Sequence, residues 1–139
     1  MLEDIFVHDR ETQLTIRVSV ASNGGQADQQ SFFATLSADG RYVAFYSNAT
    51  NLVSSDTNGE ADNFVHDRVT QTTTRVSVSS DGSQADDQSQ APTISADGRL
   101  VAFSSRATNL VGGDTNNQED VFVHERGETT YTYLPLVTR

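Results

Sequence analysis

The apolar residues of this chain fall in short runs, separated by polar stretches rich in Gly, Asn, Asp, Ser and Gln. Val43, Ala44 and Phe45 form one run, Phe64 and Val65 another, and Val101, Ala102 and Phe103 a third. No window sustains the 3.6-residue spacing of a helical face, and Thr, Val, Ser and Phe dominate the runs. The pattern therefore predicts strands throughout. Consecutive residues of a strand point to opposite faces, so these runs predict sheets buried on both sides. Such a sheet needs a neighbour against each face.

The runs recur at a fixed interval. Asp4 to Arg10 reads DIFVHDR, Asp62 to Arg68 reads DNFVHDR and Asp120 to Arg126 reads DVFVHER, each 58 residues after the last. Residues 4–61 and 62–119 agree at 38 of 58 positions. A constant period of this size marks a repeat architecture. Each repeat carries four predicted strands, a to d. Strand a is Phe32–Ser37 and Gln90–Ser95, and strand b is Arg41–Ser47 and Arg99–Ser105. Asp39-Gly40 and Asp97-Gly98 between them predict tight hairpin turns. Strand c is the FVHDR motif. Strand d is Thr72–Ser79, with counterparts at Gln13–Val20 and Thr130–Val137.

Four-stranded repeats stacked face to face are the blades of a β-propeller. The expected fold is thus all-β, with propeller blades of 58 residues, four antiparallel strands each, and about two and a half blades in the chain. Residues 1–139 form one repeat array: 1–21 a half blade of strands c and d, 32–79 a full blade, 90–137 a second. Closed propellers have about four to eight blades, so this chain is not expected to close a ring alone. The half blade leaves a sheet edge to be covered by further blades or by another copy. The segment Tyr131 to Val137, with Pro135, reads as the outermost strand of the final blade or as a strand donated to another subunit.

The residues Ser37-Ala38-Asp39-Gly40-Arg41-Tyr42-Val43-Ala44-Phe45, followed by Asp62-Asn63-Phe64-Val65-His66-Asp67-Arg68, resemble the TolB-type, WD-like propeller repeats of bacteria. The likeness recurs in register over nearly the whole chain. Ala38 and Ala96 stand where that pattern usually has Pro, and the loop between strands b and c is longer than usual. The resemblance implies a scaffold that binds proteins or ligands, and no single activity.

Charge narrows the partners. Nineteen acidic residues face nine basic ones, all Arg, for a formal net charge of −10. That balance repels phosphate backbones and anionic lipid, so neither nucleic acid nor membrane insertion is expected. No apolar run reaches the length of a membrane span. The absence of Cys excludes disulfides and thiolate metal sites. The N-terminus has neither the basic start nor the apolar stretch of a signal peptide, and the chain is expected to be a piece of a longer one.

Candidate chemistry lies mainly in the b–c loop. Asp56, Asn58 and Asp62 recur as Asp114, Asn116 and Asp120. Their oxygens could hold a hard cation such as Ca²⁺, which takes several oxygen ligands. The same residues also suit Asx-turns that bond loop backbone. His8, His66 and His124 fall on separate repeats and read as packing residues beside Asp9, Asp67 and Glu125. Arg10, Arg68 and Arg126, with Arg17 and Arg75, read as structural ion-pair partners. Asn48-Ala49-Thr50 has the form of a glycosylation sequon. No nucleophile elbow or glycine-rich phosphate loop is present, so no enzyme is expected.

The expected function is a non-catalytic structural or interaction module, secreted or on a bacterial cell surface or in the periplasm. It would self-associate as a homo-oligomer or polymer through exposed blade edges, a filament being one such form. Two alternatives stand beside it: a Ca²⁺-assisted propeller binding a glycan or protein, and a propeller fragment of a larger exported hydrolase.

Overall fold

The computed structural model describes residues 1–127. It is all-β, with no helix among them. Nine strands follow in chain order: β1 (Phe6–Asp9), β2 (Leu14–Arg17), β3 (Ser31–Leu36), β4 (Tyr42–Ser47), β5 (Asp62–Asp67), β6 (Thr72–Arg75), β7 (Ser89–Ile94), β8 (Leu100–Ser105) and β9 (Asp120–Glu125). They form three antiparallel sheets, β1-β2, β3-β4-β5-β6 and β7-β8-β9, each in sequence order. We call these the first, middle and third sheets. The strand d expected at Thr130–Val137, and the reading of Pro135, lie outside the described residues.

The local signals formed the elements they predict, with one correction, to the length of strand d. At the a–b hairpins only the glycines, Gly40 (φ +72°) and Gly98 (φ +77°), take positive φ; the aspartates before them do not. Asp39 instead accepts from the Ser37 hydroxyl and the Arg41 amide, and Gly40 N–H closes the turn on Ser37 O. Ala38 therefore occupies a position of ordinary φ that does not require Pro. Strand d is shorter than expected, ending at Arg17 and Arg75 rather than Val20 and Ser79. There the backbone leaves the sheet to close a small loop, in which Ser79 N–H bonds Ser83 O and Val78 bridges Gln84.

Register fixes which residues share a face. Val43 lies opposite His66, Ala44 opposite Val65 and Phe45 opposite Phe64. Directly opposed residues point the same way. Val43, Phe45 and Phe64 pack towards the first sheet, with Val18, Ala49 and Leu52 and against Ile5 and Val7. Ala44, Val65 and Val76 pack towards the third sheet, against Val101, Phe103 and Leu110, with Phe122 alongside. The two interfaces repeat one another: Phe45–Phe64 and Phe103–Phe122 both stack at 6.0 Å and 29°. The expectation of double-sided burial holds for the middle sheet, where Val43, Ala44, Phe45, Phe64 and Val65 are all sealed from solvent.

Hydrogen bonds lock neighbouring sheets together. The Thr73 hydroxyl donates to Val20 O at 2.6 Å and its amide to the Ser22 hydroxyl at 2.9 Å. Ala38 N–H donates to Ala96 O at 2.9 Å.

One residue works against the packing. Asn63 is fully buried, and neither its side-chain nitrogen nor its oxygen has a hydrogen-bond partner. The matching positions of the other repeats hold Ile5 and Val121. A buried unpaired amide costs about 1–3 kcal/mol. Asn63→Val is therefore expected to raise the free energy of unfolding by about 1–2 kcal/mol, read as a higher urea midpoint at unchanged slope.

Candidate functional site

Asp62 opens β5, and its buried carboxylate collects donors from three directions. The Ser77 hydroxyl donates to Oδ1 at 2.7 Å; Asn58 Nδ2 at 3.0 Å and Arg75 Nη1 at 3.3 Å approach Oδ2. Arg75 also stands 3.5 Å from Asp56 Oδ1 and donates to Gln84 Oε1 and Ser55 O. Thus Asp56, Asn58 and Asp62 converge, and the charge at their centre is the guanidinium of Arg75. Burial, then the Asp62 charge, raises the Asp56 carboxyl above its ordinary range, against the pull of Arg75.

Both loop asparagines present nitrogen to the carboxylate. Asn116 Nδ2 lies 3.0 Å from Asp120 Oδ2, as Asn58 does from Asp62. Their oxygens accept from backbone amides, Asn58 from Glu60 and Asn116 from Gln118. A cation ligand must offer that oxygen to the metal. The loops are built as Asx-turns. Asp114 and Asp120 sit half-buried at the same place in the third repeat. No group of three or more His, Cys, Asp or Glu is arranged for a metal ion among the described residues.

The described histidines lie one to a sheet. His66 Nδ1 meets Thr73 Oγ1 at 2.8 Å, and His8 meets Thr15 at the same distance. Because the Thr73 hydroxyl proton goes to Val20 O, the His66 proton sits on Nδ1 and donates to Thr73. Burial lowers His66; Asp67 opposes this and Arg68 adds to it. Burial and Arg126 lower His124. Burial acts to raise Asp67, but the paired bonds from Arg41 at 2.9 and 2.8 Å, with the Val69 and Thr70 amides, outweigh it and hold the carboxyl far below the usual range.

These directions set the pH response. An imidazole depressed in the folded state adds stability that is present above pH 6.5 and lost as pH falls through that value. A depressed carboxyl such as Asp67 adds stability present above pH 3.8 and lost below it. Asp56, raised, acts with the opposite sign. The melting temperature is therefore expected to fall between pH 7 and pH 5, and to fall again below pH 4. His66→Gln should flatten the first step in a calorimetric pH series.

A cluster of aromatics was not legible as a site. Phe32 lies 5.3 Å from Tyr46, and Phe33 stacks on Tyr46 at 5.8 Å and 13°. Phe33 is 73 % exposed and has φ +47°, within a bulge between β3 and β4. The third repeat has Gln90, Ala91 and Ser104 in these places, and Ala91 shares the left-handed backbone at φ +53°. The bend thus belongs to the repeat, whereas the aromatics are particular to the middle one.

The outer faces of the end sheets are uncovered among the described residues. Val7 packs inward, so alternation turns Phe6 outward, 54 % exposed, with Arg17 over its ring at 5.4 Å. At the other end Ala102 lies opposite Val123 and Ser104 opposite Val121. Val121 and Val123 are 75 % and 64 % exposed, and Leu100 shares their face. The middle sheet covers the matching positions: Phe64 for Phe6, Ala44 for Ala102, Asn63 for Val121 and Val65 for Val123 are buried, and Tyr42 for Leu100 is half-buried. β5 is paired on both edges, whereas among the described residues its counterparts β1 and β9 are paired only with β2 and β8. A groove runs beside β9, lined by Val78, Leu110, Phe122 and His124.

No family model matches the chain, and no curated protein matches it.

Proposed function

We propose that this chain is a non-catalytic structural module whose work is to build an assembly by stacking its sheets against further sheets of the same kind. The observation that carries the proposal is the exposure of Phe6, Val121 and Val123 at positions whose counterparts in the middle sheet are sealed. Contiguous apolar surface of this sort marks interaction sites. On this reading the sheets are propeller blades, since each is antiparallel and meets the next face on. About two and a half blades do not close a ring, so the assembly supplies the missing neighbours. A location outside the bacterial cell rests on the resemblance to TolB-type repeats alone. The acidic loops serve the fold in this reading, with Arg75 as the internal counter-ion of Asp56 and Asp62.

Size-exclusion chromatography with light scattering tests this across a concentration series at moderate salt, which screens the net charge. The expected result is a mass of two or more chains that grows with concentration. A single-chain mass at the highest concentration overturns the reading.

A further inference from the structure

We propose that copies of this chain join head to tail, with the Phe6 face of one first sheet seated on the Val123 face of the next copy's third sheet. The inference rests on the self-association proposed above and specifies its geometry. Both sheet contacts inside the chain obey one rule. A face bearing the strand-c phenylalanine meets a face bearing the valine that follows it in sequence. Phe64, with Phe45, meets Ile5 and Val7 of the first sheet. Phe122, with Phe103, meets Ala44 and Val65 of the middle sheet. The repeat therefore leaves one unused face of each kind, the Phe6 face at one end and the Ala102–Val123 face at the other.

The two leftover faces match the partners already joined within the chain. Phe6 corresponds to Phe64 and Phe122, each of which packs on a neighbouring sheet. Val123 and Ala102 correspond to Val65 and Ala44, which receive Phe122. The occupant of the Val123 face that fits the rule is thus a Phe6 face, and a second copy carries one. A twofold dimer would set like on like, Phe face on Phe face or Val face on Val face, and neither pairing occurs in the molecule. The contact is heterologous: it closes a ring where the rotation between copies allows, and otherwise leaves one face of each kind free at the ends.

Two variants test this by complementation. Phe6→Asp blocks one face and Val123→Asp the other; both side chains are exposed in the chain, so circular dichroism melts at dilutions where the parent is a single chain should match the parent. Each variant alone is expected to run as a single chain in light scattering. Their equimolar mixture is expected to show a species of two chains, because each supplies the face the other lacks. If either variant alone keeps the parental mass, as it would were its face covered by another segment or were only the other face used in a twofold contact, head-to-tail joining is overturned while self-association stands. A mixture that stays at one chain also overturns it. A parent protein that is itself a single chain removes both this inference and the reading beneath it.

Discussion

Replacing Asp62 by alanine is expected to destabilise the fold by about 3–5 kcal/mol, the usual cost of leaving a buried ion-pair partner uncompensated. The Asp62 side chain is fully buried and that of Arg75 is only 7 % exposed. Without the carboxylate, the guanidinium keeps Asp56 at 3.5 Å, and the Ser77 hydroxyl and one Asn58 N–H lose their acceptor. The same change at Asp4 is the comparison. Asp4 also takes a serine hydroxyl, from Ser19 at 2.8 Å, but its arginine stands 3.6 Å off and its side chain is 17 % exposed. A cost of about 1 kcal/mol is expected there, as for a solvated pair with one good hydrogen bond. Equal losses in urea titrations of the two variants would show that Arg75 is not buried against Asp62 as described.

Phe64→Ala is expected to cost about 3–5 kcal/mol, and Phe6→Ala less than about 1 kcal/mol. The two phenylalanines occupy one position of one motif. Phe64 is sealed between sheets and stacks on Phe45, so truncation opens a cavity among Val43, Phe45 and Leu52. Phe6 is 54 % exposed, with no sheet over it among the described residues. The difference is a property of dilute, single-chain conditions. Measured in an associated sample, the Phe6 variant should lose both mass and the added melting temperature that association gives the parent.

Much of the fold could be read from the chain because its signals are local and repeat. The period placed the strands, the Asp-Gly pairs placed the a–b turns, and consecutive apolar residues foretold that Val43, Ala44 and Phe45 would be covered on both sides. The early end of strand d was hidden because the Asn63 amide bonds the Ser77 hydroxyl instead of a strand-d carbonyl, and that hydroxyl serves Asp62, 15 residues away. The acidic loop was ambiguous for the same reason. Spacing alone cannot say whether an asparagine shows its oxygen or its nitrogen, or that an arginine from another strand fills the centre. The left-handed Phe33 carries no warning in its residue type. Its bend comes from the bulge that Ala91 shares.

Among the described residues only the middle sheet has neighbours on both sides, and its place sets the order in which the molecule opens. Backbone amides of β4 and β5 should be the last to exchange with deuterated water, and those of β1, β2 and β9 the first, because local opening is easiest where one side is bare. Each sheet is braced only by the one beside it, so loosening travels inward from the ends, as in other stacked arrays. An isotope-labelling time course thus records how many neighbours a sheet has, and slower uptake in β1 on raising the protein concentration would report a new neighbour there.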